Sequence, residues 1–200
     1  VDPDDWVEHD MLSSLYRIAK ENNSDMVICD YFQENMLSNK CKYICQKPTS
    51  LETDELIRDM TYLLHGACWN KLIRKNCFDK YNIAFPLEFS LNEDLYVTLS
   101  LLRNGIRVSY LPRAFYHYVS CSNNLSITQN HFYSDRVYDE DITKFTMFCE
   151  LMKNHKYYCD VRSVMAAYVV RRAYHSNYYS SYQFMKHFGM FRNDILQLKH

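Results

Sequence analysis

Residues 2–32 read DPDDWVEHDMLSSLYRIAKENNSDMVICDYF, and the reading of this stretch sets the fold class. In its middle, Met11, Leu12, Leu15, Ile18 and Ala19 recur at helical spacing and Asn22-Asn23 end the run, which predicts a helix over 8–22. The string DMVICDYF at 25–32 is apolar without alternation, the pattern of a buried strand. Before the helix, Val1 is expected to end a strand, with Asp2, Asp4 and Asp5 in the turn that follows. A helix feeding a buried strand points to an α/β fold.

Working outward, 33–40 reads as a polar loop and 42–46 as a short strand. Thr49-Ser50-Leu51-Glu52 has the form of a capping box, and a helix follows with Leu56, Ile57, Met60, Leu63 and Leu64 as its stripe, broken by Gly66. Residues 69–81 read as another short helix and 83–86 as an extended exit. Asn92 is expected to cap a helix running to Asn104, which Gly105 ends. Two strands follow, 106–111 and 114–119, with Pro112 between them. From 134 the period is helical throughout, with helices expected near 134–154, 159–176 and 179–198. The chain therefore divides into an α/β part over 1–130 and a helical extension over 131–200.

Composition narrows the function. The 200 residues hold 3 Gly, where average usage gives about 14. A Rossmann GxGxxG, a Walker A loop and a glycine-rich kinase loop all need clustered glycines to bring backbone close to phosphate, so all are excluded. Apolar content of 48% suffices for a core and argues against disorder. A net charge of −1 argues against a nucleic-acid partner. No signal-peptide pattern and no apolar run of about 18 residues is present. The abrupt start at Val1 is expected to mark a piece of a longer chain. The eight cysteines form no CxxC pair and read as reduced, partly buried thiols of a cytoplasmic protein.

Four constellations can carry chemistry. Asp2 and Asp4 at i and i+2 in a turn can share a hard divalent cation such as Mg²⁺ or Mn²⁺, although Asp is also common in plain turns and caps. Glu93 and Asp94 fall in the first turn of a predicted helix. The dipole accounts for most such pairs, but it also favours the ionised carboxylate that a general base requires. Trp69-Asn70-Lys71 reads either as a helix start packed on the core or as a binding element. His117, in Tyr116-His117-Tyr118, is either a structural hydrogen-bonder or a ligand for metal or phosphate.

Their order says more than any one of them. DPDDWVEHD…DMVICDYF, then HGACWNKLIRKNCFDKYNIAFP, then NEDLYVTLSLLRNGIRVSYLPRAFYHYVSCSNNLSIT resembles, over residues 1–128, the second half of a bacterial family-2 glycosyltransferase of the GT-A fold. The resemblance implies the acceptor-side half of a GT-A (Rossmann-like) domain followed by an all-helical tail. It implies a D-x-D element at Asp2 and Asp4 that holds Mg²⁺ or Mn²⁺ against the diphosphate of a nucleotide-sugar donor, with Asp5 and Trp6, which complete the D-x-D-D-W run, among the residues that bind substrate. His117 falls where some relatives place a contact to metal or phosphate. Glu93-Asp94 matches the family's E-D element, whose Asp deprotonates the acceptor hydroxyl for transfer with inversion. Trp69, Asn70 and Lys71 match a W-N-K stretch near the acceptor, which is expected to be a glycan or lipid-linked. The family's opening strand and its D-D-G-S element have no counterpart here. The resemblance therefore implies a fragment that is inactive alone.

Residues 156–200 carry Lys156, Arg162, Arg171, Arg172, Lys186, Arg192 and Lys199 against Asp160 and Asp194, with seven tyrosines between 157 and 182. That surface suits anionic headgroups at the inner face of a cell membrane, or else is an ordinary solvated helix face. A non-catalytic module for homo-oligomerisation or acceptor binding is the alternative function, and a metal-dependent phosphohydrolase is the weaker third.

Overall fold

The computed structural model describes residues 1–36, 38–120 and 134–196. The chain forms two compact units, one of Val1–Phe85 with Asn92–Gln129 and the other of Pro86–Leu91 with Asn130–His200.

The first unit is a mixed α/β layer. In chain order it holds β1 (Trp6–Val7), α1 (Met11–Glu21), β2 (Met26–Asn35), β3 (Lys40–Ile44), α2 (Thr53–Tyr62), β4 (Lys71–Ile73), α3 (Asn76–Tyr81), α4 (Glu93–Arg103) and β5 (Val108–Ser120). The central strand is β2, whose first six residues are all buried, as its apolar run predicts. It pairs parallel with β5 on one edge, while β3 and β4 pair antiparallel along the other and β1 pairs antiparallel with β5. Met11 and Leu15 of α1 pack on Val27, Cys29, Tyr31, Phe115 and Tyr116. Each fully buried aliphatic side chain in such a core contributes about 1.5–3 kcal/mol. Gly105 ends α4 with a φ of 66°, as its position in the sequence indicates.

Several expectations are corrected. The Asp2–Asp5 turn leads into a strand, β1, that the sequence pattern does not indicate. The helix expected over 69–81 splits, because Lys71–Ile73 is drawn onto β2 as a strand and only Asn76–Tyr81 is helical. The capping box at 49–52 does not form. The Thr49 backbone N–H and hydroxyl donate instead to Asp59, one turn from the end of α2. The two strands expected around Pro112 are one strand, β5. Its register against β2 jumps from Leu111–Cys29 to Ala114–Asp30, so Pro112, which has no N–H to give, sits in a bulge.

That bulge exposes an interior anchor that the sequence did not announce. The carboxylate of buried Asp30 accepts from the hydroxyls of Tyr43 and Tyr110 and from the Gln46 N–H, the last at 2.5 Å. One acid thereby ties β2, β3 and β5 together. Burial, then the bond to Asp30, pushes both phenols well above the usual tyrosine range.

The second unit is helical, with α5 (Asp135–Met152), α6 (Tyr158–His175), α7 (Ser181–Phe188) and α8 (Arg192–Leu196). Ser134 caps α5, and Ser180 with Gln183 closes a capping box on α7. The last helix is not continuous over 179–198. A 3₁₀ turn at Gly189–Phe191 separates α7 from α8, and its tighter winding brings Phe188 and Phe191 onto one buried face. Arg162 is held by Asp194 through two bonds of 2.6 and 3.0 Å, and Arg172 by buried Asp141 at 2.7 Å. Two of the tail's basic residues are thus paired with acids within the unit. Among the described residues no helix is long and apolar enough to cross a membrane.

Candidate functional site

The Asp2–Asp5 turn is closed by the Asp5 N–H donating to the Asp2 carbonyl at 3.1 Å. Its anchor is Asp5. That carboxylate accepts from the Tyr116 hydroxyl at 2.7 Å and from the Val119 N–H at 2.8 Å, and the Tyr116 hydroxyl in turn accepts from the Asp2 N–H at 3.2 Å. Asp5 pins the turn to β5. Asp2 and Asp4 are left exposed at its rim. Their oxygens are hard donors with the i, i+2 spacing that a divalent cation can bridge. Burial, then the charges of Asp5, Asp4 and Asp2, raises the Tyr118 phenol above its ordinary value, so the negative potential of the turn reaches that ring.

Next to the turn lies an aromatic platform. Trp69 stacks on Tyr116 at 4.4 Å and on Tyr118 at 5.7 Å between ring centroids, and Tyr31 meets it edge-on at 4.8 Å. Asn70, fully buried, donates from Nδ2 to the Cys29 carbonyl at 2.9 Å and locks this stretch to β2. Lys71 turns inward. Its Nζ donates to the carbonyls of His65 and Ala67 and to Oδ1 of Asn70, at 2.8, 2.5 and 2.8 Å. Burial lowers its pKa to about 8, with the charges of Cys68 and Asp94 opposing the drop. The W-N-K stretch therefore has a physical role: Trp69 forms a floor, Asn70 an anchor, and Lys71 a clamp on the 65–68 turn.

The clamped turn holds Asp94. The Cys68 N–H donates to Oδ2 of Asp94 at 3.1 Å. Asp94 and Glu93 open α4, both half-buried, after Asn92 in a left-handed conformation with φ of 69°. Burial, then the nearby Asp94 charge, pushes the Cys68 thiol up to about 12, so this cysteine is no nucleophile at neutral pH. Gly66 lets α4 come this close, since a Cβ there would lie 2.8 and 2.9 Å from Cδ1 and Cβ of Leu95. Gly66→Ala is expected to destabilise the unit by about 1–3 kcal/mol, because Leu95 must be displaced together with its helix. Urea unfolding checks this, and an unchanged midpoint would refute the tight contact.

His117 lies elsewhere. Alternation along β5 turns it away from Tyr116 and Tyr118. Its ring is sandwiched between Trp6 at 3.4 Å and Phe32 at 4.6 Å. Among the described residues, the metal-capable group of three that includes it is Glu34, Cys41 and His117. His117 thus does not join Asp2 and Asp4 in such a group. Trp6 is the outer slice of the same stack. The described cysteines are all free thiols, from buried Cys29 and Cys77 to exposed Cys41, Cys45 and Cys159, and Cys121 lies outside the described residues.

No family model matches the chain. It is 29% identical over 136 residues to EpsJ, an uncharacterized glycosyltransferase of Bacillus subtilis, covering 63% of this chain and 38% of that protein. It is 29% identical over 134 residues to the poly(ribitol-phosphate) beta-N-acetylglucosaminyltransferase TarP of Staphylococcus aureus, covering 65% of this chain and 40% of the relative. The chain thus spans about two fifths of the length of these curated relatives. Among solved structures, TarS 1–349 of S. aureus in complex with UDP-GlcNAc superposes with a TM-score of 0.58 at 17% identity, over 98% of this chain and 56% of that one. The fold is the mixed α/β arrangement of that glycosyltransferase, and the proteins similar to this chain in sequence and in structure are glycosyltransferases.

Proposed function

We propose that the chain carries the acceptor-side half of a family-2, GT-A glycosyltransferase that moves a sugar from a nucleotide-sugar to a glycan or lipid-linked acceptor with inversion. One observation carries the reading. The Asp2–Asp5 turn, the Tyr116–Trp69–Tyr118 platform and the Cys68–Asp94 pair follow one another through direct contacts within a single unit. A metal turn, a stacking floor for a sugar ring and a fixed carboxylate are the three parts such a transfer needs.

In this scheme the acceptor hydroxyl attacks the anomeric carbon, its proton passes to Asp94, and the bond from that carbon to the diphosphate breaks. Asp94 is held for the task by the Cys68 N–H, with Glu93 beside it. Asp2 and Asp4 would hold Mg²⁺ or Mn²⁺, which when bound offsets the charge developing on the departing nucleoside diphosphate. Trp69 and Tyr118 offer flat apolar faces against which a sugar ring can lie. TarS was solved with UDP-GlcNAc, so a uridine-diphosphate sugar is the donor class to try first.

The test is release of UDP from UDP-GlcNAc by the intact polypeptide that contains these residues, supplied with Mn²⁺. Turnover should vanish on chelation, return with added Mn²⁺, and be lost in Asp2→Asn/Asp4→Asn. Undiminished turnover in that double variant would overturn the metal assignment.

A further inference from the structure

We propose that Glu34, Cys41 and His117 form a metal site of the zinc class, on the face of the sheet opposite the aromatic platform and separate from Asp2 and Asp4. The register of three neighbouring strands builds it. His117 of β5 lies beside Phe32 of β2, Glu34 is two residues on and so on the same face, and Cys41 of β3 is paired directly opposite Glu34. The side-chain donor atoms of the three all lie within 4.8 Å of one another. Tetrahedral ligands at zinc bond lengths sit about 3.3–3.8 Å apart, so convergence takes only small rotamer movements.

The polar environment of His117 suits a metal ligand. Its Nδ1 lies 2.7 Å from Oε1 of Glu34, and its Nε2 lies 3.2 Å from Oε1 of Glu8. A neutral imidazole has one N–H for these two carboxylates. With Nε2–H donating to Glu8, the Nδ1 lone pair faces the Glu34 carboxylate and is placed to ligate a metal ion beside it. Glu8 then completes the carboxylate–histidine–metal relay that orients metal-bound imidazoles. The nearby Cys41 sulfur favours the metal: nitrogen, thiolate and carboxylate together suit Zn²⁺ and serve Mg²⁺ poorly. A cleft of about 160 Å³ lined by Glu34, Asn35, Met36, Asn39, Lys40 and Cys41 gives the ion an approach and leaves room for a water as fourth ligand. The ion would cross-link β5, β2 and β3.

Co²⁺ titration of the full, chelator-treated chain under reducing conditions tests this. The expected result is about one equivalent bound with a thiolate-to-cobalt charge-transfer band, which Zn²⁺ abolishes and excess Mg²⁺ does not. Cys41→Ser should remove the band, while Glu8→Ala should weaken Co²⁺ binding about 10–100-fold. Because Cys41 is exposed, its variant is expected to keep the far-UV dichroism of the parent. Absence of the band, its persistence in Cys41→Ser, or displacement by Mg²⁺ would each overturn the proposal.

Discussion

Asp94→Asn lowers sugar transfer by about 10²–10⁴-fold, the usual span for removing a positioned general base. The substitution is sharp because of what it preserves. The Cys68 N–H donates to one carboxylate oxygen of Asp94, and an asparagine amide oxygen can accept the same bond. The N-terminus of α4, the 65–68 turn and the packing of Leu95 against Gly66 therefore stay in place. What is lost is the capacity to take a proton from the acceptor. UDP binding in the presence of Mn²⁺ should survive, because it draws on the Asp2–Asp4 end of the site. Released UDP measures the first quantity and calorimetric titration the second. Full turnover in Asp94→Asn would remove Asp94 from the role of base, and loss of nucleotide binding would show that the two ends of the site are not separable. Glu93→Gln should cost less, because no step of the scheme passes a proton through Glu93.

The parts of this site that could be read from the sequence are those whose signal is local. The apolar run 26–32 and the α1 stripe are set by burial on two faces and on one, so they survive into the structure as strand and helix. Gly105 is legible because a left-handed residue after a helix has few alternatives. Lys71–Ile73 was not legible as a strand, because three residues are too few to show a period of two and their pairing partner lies 45 positions upstream at Ile28–Met26. Asp5 illustrates the same limit for function. Its place in a D-x-D-D run says nothing of its partners Tyr116 and Val119, which reach its carboxylate from more than a hundred residues away. For His117 the deciding fact is parity: one residue along β5 separates the platform face from the face that holds Glu34 and Cys41.

Lys71→Met destabilises the first unit by about 1 kcal/mol at pH 7, through opposing effects that pH can separate. The ammonium of Lys71 is buried, and its pKa of about 8 against an ordinary 10.5 means that burying the charge costs about 3 kcal/mol. Removing the amine relieves that cost. It also strips the partner from the carbonyls of His65 and Ala67 and from Oδ1 of Asn70. The Ala67 carbonyl and Asn70 Oδ1 are buried and lose about 1–3 kcal/mol each when left unpaired, roughly 4 in all, whereas water can reach the His65 carbonyl, so the loss outweighs the relief by about 1 kcal/mol. The pH dependence follows from proton counts. Below pH 8 both states hold the lysine proton and stability is flat in this group. From 8 towards 10.5 the unfolded chain holds more protons than the folded one, so stability rises with pH. The thiols of Cys29 and Cys68, pushed up to about 12 chiefly by burial, act oppositely above their ordinary value of 9, because the folded state then keeps protons the unfolded chain has shed. The parent should therefore gain stability between pH 8 and 9 and lose that gain above it, whereas Lys71→Met should show only the decline. Urea unfolding followed by tryptophan fluorescence reads this unit directly, because both tryptophans, Trp6 and Trp69, lie in it. Equal stability of variant and parent at pH 7, or the same rise from pH 8 to 9 in both, would show that Lys71 does not clamp the turn. If it does, the variant should also lose transfer activity at pH 7 while still folded, because the Cys68 N–H that fixes Asp94 belongs to the turn Lys71 holds.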